Sequence, residues 1–338
     1  MDVRRTTLKD VAKACGVTLP TASKILGGND ASMADETIDR VKDTARRLGY
    51  RPHFAAKLLN GRRTGIVGIV FANAAAGDED QNRLLALRLA ARLQREGRSV
   101  FLQALGADPL EEILDLINRG CEAFVFIATP ADPAAVEKAM ADNAVSWVCV
   151  KGDMSRRVDS SYAEGVRQIL AGWRARELRF RLLIETQDPE ARDHWQYRHR
   201  FAGLQALFPA VSDGELFRRY VRPMAEHGDR ETIFRAGYEA TARMLDVEND
   251  VNALFYDTDL HALGGIRLLV ERGLTPGVHV HLAGANNLEL ASRFGAWPFS
   301  SVGMDFAALE EAVALRLEGK GAFAQEIPPL IHHRSNQA

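Results

Sequence analysis

Apolar residues return at helical spacing three times within the first fifty positions. Leu8, Val11, Ala12 and Cys15 fall at i, i+3, i+4 and i+7, one face of a helix. Thr7 and Asp10 have the spacing of a capping box at its start, and Gly16 supplies the stop. Ala22, Ile25 and Leu26 form the apolar side of a second stretch, with Thr18 as its cap and Pro20 in its first turn. After "GGND", Ile38, Val41, Ala45 and Leu48 line one face of a third, closed by Gly49. The first two predicted helices are too short to persist alone. Three of them around one small core would hold together. A tight glycine-containing connection between the first two is the helix-turn-helix arrangement, in which the second helix enters the DNA major groove. A purely structural three-helix cap has the same pattern, so both readings stand on pattern alone.

From Thr64 the periodicity changes. "GIVGIVFA", "RSVFLQAL", "EAFVFIA", "VSWVCV", "RFRLLIE", "LFRRYV", "NALFYDT" and "VHVHLAG" read as strands. Amphipathic segments such as "QNRLLALRLAARLQREG" and "DLHALGGIRLLVERG" lie between them. Alternation of this kind predicts an α/β body with parallel sheets, and its length suits two of them. Ligands in such sheets bind outside the carboxyl ends of the strands.

Charge sharpens the division. The chain of 338 residues has a formal net charge of −2, but residues 1–63 alone carry +6 and the rest −8. A basic head on an acidic body points to a polyanionic partner for the head, with a solvated basic tail as the alternative. No apolar run is long enough to span a bilayer, and "MDVRRTTLKD" opens without the apolar core of a secretory signal. No membrane association and a cytoplasmic location are therefore expected. Cys15, Cys121 and Cys149 are widely spaced and fit free thiols in a reducing compartment. His279 and His281 are expected to share one face of a strand, and His332 and His333 to split across two; neither pair has a third metal ligand in view. No dinucleotide fingerprint follows the first strand, and no phosphate loop, nucleophile elbow or HExxH is present. Neither an enzyme nor a cofactor or metal site is expected.

"TLKDVAKACGVTLPTASKIL" and "TIDRVKDTARRLGYRPHFAAKLLNGRRTGIVGIV" resemble the opening of the lactose-repressor (LacI/GalR) family of bacterial transcription regulators. Thr7, Leu8, Asp10, Val11, Ala12, Ala14, Gly16, Val17, Thr21, Ser23 and Leu26 match its pattern, as do Val41, Leu48, Gly49, Tyr50, Pro52 and Ala56 further on. Cys15, Thr18, Ala22, Lys24, Gly27, Ala34 and Ile38 depart from it. The resemblance implies an all-α three-helix helix-turn-helix DNA-binding head over residues 1–49 and a hinge over 50–64. It implies an α/β type I periplasmic-binding-protein-like body over 65–338. The body's two subdomains are expected at about 65–163 with 296–326, and 164–295 with 327–338.

The resemblance assigns DNA contacts to Thr7, Leu19, Pro20, Thr21, Ser23, Lys24 and Tyr50 in the head, and to Ala56, Lys57 and Leu59 in the hinge. Leu19 and Pro20 can pack on a thymine methyl, and Lys24 can donate to guanine or to a phosphate. Leu59 takes the place of a minor-groove wedge, with hinge packing as the alternative. Effector contacts are implied for Arg200, in "RHRFAGL", and Asp259, in "DTDLHALGG", with Asp257 able to share the latter role; for both Arg200 and Asp259 an ion pair at the cleft mouth is the alternative. Lys151, Asp153, Trp195 and Gln196 are expected near pocket-forming loops. Asn286 and Asn287 stand where the family carries two acids. The implied protein is a homodimer on a pseudo-palindromic double-stranded operator, controlled by a small-molecule effector, most simply a sugar or sugar acid. No heptad pattern follows Arg334, so a dimer is expected rather than a tetramer. The rival readings are a solute-binding receptor and an α/β enzyme with a helical cap.

Overall fold

The structure is a computed structural model. It describes residues 6–27, 33–50, 64–74, 76, 80–160, 162–185, 195–224, 229–288, 297–322 and 324–334. The chain divides into two compact units, residues 1–66 with 117–122, and residues 67–116 with 123–338.

The first unit opens with α1 (Leu8–Cys15), α2 (Leu19–Leu26) and α3 (Asp35–Arg47). The capping box at α1 is present: Thr7 Oγ1 accepts from the Asp10 amide and Asp10 Oδ2 accepts from the Thr7 amide at 2.9 Å. Gly16 sits at φ 65°, the left-handed cap that a side chain would strain. Thr18 caps α2 by accepting from the Thr21 amide. Val11, Ala12, Cys15, Ala22, Ile25, Val41 and Ala45 make the core, and Leu8, Leu26, Ile38, Leu48 and Tyr50 close around it. Thr6 Oγ1 donates to the Leu48 carbonyl at 2.8 Å and ties the start of the head to the end of α3.

The second unit holds two six-stranded sheets. The first has the order β11-β5-β4-β3-β1-β2, from β1 (Ile66–Phe71), β2 (Ser99–Ala104), β3 (Cys121–Ile127), β4 (Ser146–Val150), β5 (Arg157–Ser160) and β11 (Ala324–Ile327). The second has the order β12-β10-β9-β8-β6-β7, from β6 (Phe180–Glu185), β7 (Val221–Met224), β8 (Ala253–Tyr256), β9 (His281–Ala285), β10 (Phe299–Gly303) and β12 (Leu330–Arg334). Pairing is parallel from β3 to β11 and from β7 to β10, and antiparallel between β10 and β12. The helices are α4 (Asp80–Arg95), α5 (Pro109–Asn118), α6 (Pro133–Asp142), α7 (Tyr162–Ala175), α8 (Trp195–Leu207), α9 (Asp213–Tyr220), α10 (Arg230–Val247), α11 (Asp259–Glu271) and α12 (Phe306–Leu317).

The chain crosses between the sheets three times: from β5 to α7, from β10 to α12, and from β11 to β12. Two expected boundaries shift accordingly. Residues 299–303 pair with β9 in the second sheet, so that crossing falls after Gly303 rather than before residue 296. Tyr162 already belongs to α7, which packs on α8 and β10.

Two strand expectations also change. In "LFRRYV", Leu216–Tyr220 end α9 and only Val221 enters a strand, as the first residue of β7. Leu216 is buried and Phe217 and Tyr220 pack beside it, a helical spacing that outweighs the β-prone composition. His279 lies in the turn before β9, its Nδ1 accepting from the Thr275 amide at 2.8 Å; only His281 reaches the strand.

Helices α10 and α11 approach unusually closely through glycine. A methyl on Gly237 would lie 2.1 Å from the His261 carbonyl oxygen, and one on Gly264 would lie 2.0 Å from that of Phe234. The three cysteines are free and buried, and burial pushes the Cys121 thiol up to about 12. No helix is long and apolar enough to cross a membrane among the described residues.

Candidate functional site

The head presents one surface of α2. Ala22 and Ile25 point into the core, which turns Leu19, Pro20 and Lys24 outward. Leu19 is 48% exposed, a large apolar side chain left in solvent at the first turn of a capped helix. Pro20 costs nothing there because its missing N–H has no intrahelical partner. Thr21 and Ser23 are half-buried, and the Thr21 hydroxyl lies 2.8 Å from that of Thr18. Thr7 is exposed but engaged in its capping box, and Tyr50 packs against the head core. Ala56, Lys57 and Leu59 lie outside the described residues.

The second constellation lies at the carboxyl ends of the two sheets. Lys151 follows β4 and is buried; its Nζ donates to Asn82 Oδ1 at 2.8 Å. Asn82 in turn donates to the Ala76 carbonyl at 2.9 Å. Gln81, from the same first turn of α4, donates across to the Asn286 carbonyl after β9 at 2.7 Å. The Tyr162 hydroxyl donates to Asn286 Oδ1 at 3.3 Å. Four of the six described non-glycine residues with positive φ cluster here: Ala128, Lys151, Asn286 and Asn287. Ala128, Lys151 and Asn286 each immediately follow a strand, and Asn287 comes next to Asn286, at a place where backbone strain commonly marks a functional loop.

Arg200 and Asp259 are both held by the protein. Arg200 is fully buried, with Nε 2.7 Å from Asp257 Oδ1 and Nη2 donating to the Asp257 carbonyl at 2.8 Å. Its guanidinium also stacks over the Tyr162 ring at 4.9 Å. Arg200 is therefore ion-paired with Asp257, but in the buried interior rather than at the cleft mouth. Asp259 Oδ1 accepts from the Ser301 hydroxyl at 2.6 Å, and Oδ2 from the Leu288 amide at 2.8 Å. Beside them, the Thr258 hydroxyl lies 2.9 Å from His261 Nδ1, and His261 Nε2 lies 3.2 Å from Glu185 Oε1. Asp153 is exposed and pairs with Arg157. Trp195 and Gln196 start α8, but their side chains lie outside the described residues.

Among the buried polar atoms here without a hydrogen-bond partner are Gln81 Oε1 and Ser160 Oγ, the latter at the end of β5. At the mouth, Arg230 Nη2 reaches both carboxylate oxygens of Asp80, at 2.8 and 2.9 Å. Burial pushes the Asp80 carboxyl up, but hydrogen bonds from Arg230 and Arg83 outweigh it and hold it below its ordinary value. Gln81, Asn82, Tyr162 and Ser301 are absent from the sequence reading. The rule that ligands meet strand carboxyl ends could have found Ser301 and Tyr162; nothing in the spacing singled out the start of α4.

Comparison with known proteins addresses the family and the fold. The family profile described as "Bacterial regulatory proteins, lacI family" matches residues 7–53. The HTH-type transcriptional repressor PurR of Mannheimia succiniciproducens is 25% identical over 92% of this chain and 90% of its own length. The HTH-type transcriptional regulator AscG of Escherichia coli K12 is 34% identical over 36% of each chain. The fold is that of the Lac repressor dimer solved with operator and the anti-inducer ONPF, at a TM-score of 0.74 and 21% identity over 99% of this chain and 100% of that one. Residues 7–53 carry the head of the LacI family of bacterial regulatory proteins, and the chain along its length is similar to DNA-binding regulators of transcription.

Proposed function

We propose that this regulator binds a pseudo-palindromic operator as a homodimer and that a small polar metabolite, a sugar or sugar acid, controls its affinity from the cleft. Lys24 and the Leu19–Pro20 pair read base edges from α2, while Thr7, Thr21, Ser23 and Tyr50 hold the head on the backbone. Ala56, Lys57 and Leu59 continue the contact through the hinge, with Leu59 as a minor-groove wedge. An α2 surface of this kind favours thymine methyls beside Leu19 and Pro20 and a guanine beside Lys24, because neither of the first two can hydrogen-bond a base.

The observation that carries the effector reading is the joining of Gln81, Asn82 and Lys151 on one sheet's side with Tyr162 and Asn286 on the other's. Such polar groups suit hydroxyls and carboxylates, and the unsatisfied Gln81 Oε1 and Ser160 Oγ are ready acceptors for ligand hydroxyls. Arg200 and Asp259 act in this reading by fixing Asp257, Tyr162 and Ser301, with Trp195 and Gln196 completing the wall. Exposed Leu84 and Leu87 on α4 and Phe101 and Leu102 on the edge strand β2 support self-association through the first sheet's subdomain.

The test is selection of bound sequences from random duplex DNA at stated salt, followed by titration of sugars and sugar acids into the protein–operator complex. A two-fold-symmetric site whose affinity shifts with one of these compounds is expected. An asymmetric site would overturn the dimeric reading. A compound that binds and is released chemically altered would favour an enzyme.

A further inference from the structure

A second cavity, of about 340 Å³, lies on the subdomain of the second sheet, between α7 and the β10–β12 pair. Ile169 and Trp173 from α7 and Ile331 from β12 form its apolar floor. Gln168, Arg176, Ser300 and His333 form a polar rim, and no acidic residue lines it. The size is at the small end of the range for metabolite pockets, and the mixture of an aromatic floor with a few convergent polar groups is typical of them.

Two features point to a ligand of definite chemistry. The first is Arg176. Among the described residues it has no carboxylate partner; its Nη2 meets His281 Nε2 at 3.1 Å. Burial and the neighbouring Arg176 both push the His281 imidazole below its ordinary value, so His281 is the neutral acceptor of that hydrogen bond. The guanidinium keeps further donors for an anion. The Ser300 hydroxyl lies 2.9 Å from His333 Nδ1, which orients the His333 ring at the same rim.

The second is Gly172, in the interior of α7. A glycine there is less favourable to the helix than alanine. At Gly237 and Gly264 close helix packing explains the choice. At Gly172 a methyl group would meet no protein atom within 4 Å, so packing of this chain does not require the glycine. Gly172 lies one turn from Gln168 on the rim, and its missing side chain leaves the cavity open.

We propose that this cavity is a second ligand site, separate from the cleft, for a small aryl carboxylate: the ring on Trp173, Ile169 and Ile331, the carboxylate on Arg176 and the rim. The elements that wall it each adjoin a crossing between subdomains: α7 follows the first, β10 precedes the second and β12 follows the third. A ligand wedged among them is therefore placed to act on the angle between subdomains without entering the cleft.

Phenylacetate, with phenylacetamide as its neutral counterpart, titrated into the full-length protein by ligand-detected NMR and calorimetry, tests this. Saturable binding of the acid, about tenfold weaker for the amide and for Arg176→Gln, is expected. Gly172→Val should abolish binding while leaving the melting temperature near that of the parent, since a Cβ there meets no protein atom within 4 Å. Absence of saturable binding overturns the proposal. Binding that survives both Arg176→Gln and Gly172→Val overturns it too, because the acid then sits elsewhere. A sugar or sugar acid that acts at the cleft should be indifferent to both substitutions, which separates this test from that of the effector site.

Discussion

The head keeps its candidate functional side chains outside its core, whereas the cleft builds much of its interior from them. Leu19, Pro20 and Lys24 project from α2, and none is needed to hold Val11, Ile25 and Val41 together. Lys151, Arg200, Asp257 and Asp259 are buried and bonded to one another's neighbours. The difference follows from what each region meets. A DNA duplex is a large rigid partner that an exposed convex helix can approach, so base readers can evolve without disturbing the fold. A small molecule is enclosed, so the groups around it are desolvated even when it is absent and must satisfy each other. Function and stability should then separate in the head and coincide in the cleft.

The largest effect that could break this contrast is at Arg200. Arg200→Ala leaves the Asp257 charge buried and unpaired and should cost about 3–5 kcal/mol, read as a drop in the denaturant midpoint of the body. Replacing Arg200 and Asp257 together by leucine should recover much of that loss. Equal losses in the single and double variants would mean that the ion pair is not what holds this part of the cleft. Next is Lys24→Ala. It should weaken operator binding by about 1–3 kcal/mol while the unfolding midpoint stays unchanged. A fall in non-specific affinity as large as the specific one would make Lys24 a phosphate contact instead.

The smallest effect is at the mouth. The Asp80–Arg230 pair is largely exposed, so Asp80→Asn should change stability by less than about 1 kcal/mol. Its sign with pH is fixed: a depressed folded-state value gives a contribution present above the ordinary carboxylate value and lost as pH falls through the depressed one. Comparing the parent and Asp80→Asn in denaturation series from about pH 5 to about pH 2 should show the two converging at the acid end. A gap that persists there would assign the effect to something other than the carboxylate's charge.

Legibility in the sequence followed the same division. Caps, stops and the apolar stripe of the head are local, so Thr7, Gly16, Thr18 and Ile25 could be placed from spacing alone, and the exposed face followed from what the stripe left over. In the body, β1 to β4, β6, β8 and β9 were readable from β-rich composition, whereas the short strands β5, β10, β11 and β12 were not, and "LFRRYV" misled because six residues sample either period and only the burial of Leu216 decides. Arg200 was found as a motif, yet its partner could have been Asp257 or Asp259; the choice depends on how the end of β8 meets α8, which no spacing states. Gln81 and Asn82 were invisible because their importance comes from reaching Asn286 and Lys151 across more than sixty residues of chain.

The glycines between α10 and α11 have a mechanical consequence. With Gly237 against the His261 carbonyl and Gly264 against that of Phe234, backbone rests on backbone, and there is no layer of side chains to shear. The two helices form one stiff piece. Arg230 begins one of them and Asp259 the other, so the residue that clasps Asp80 at the mouth and the residue that fixes Ser301 inside are mounted on the same lever. Opening or closing the mouth must carry the inner wall with it, and a side chain at Gly237 would act as a loosened joint, leaving both ends folded but no longer moving as one.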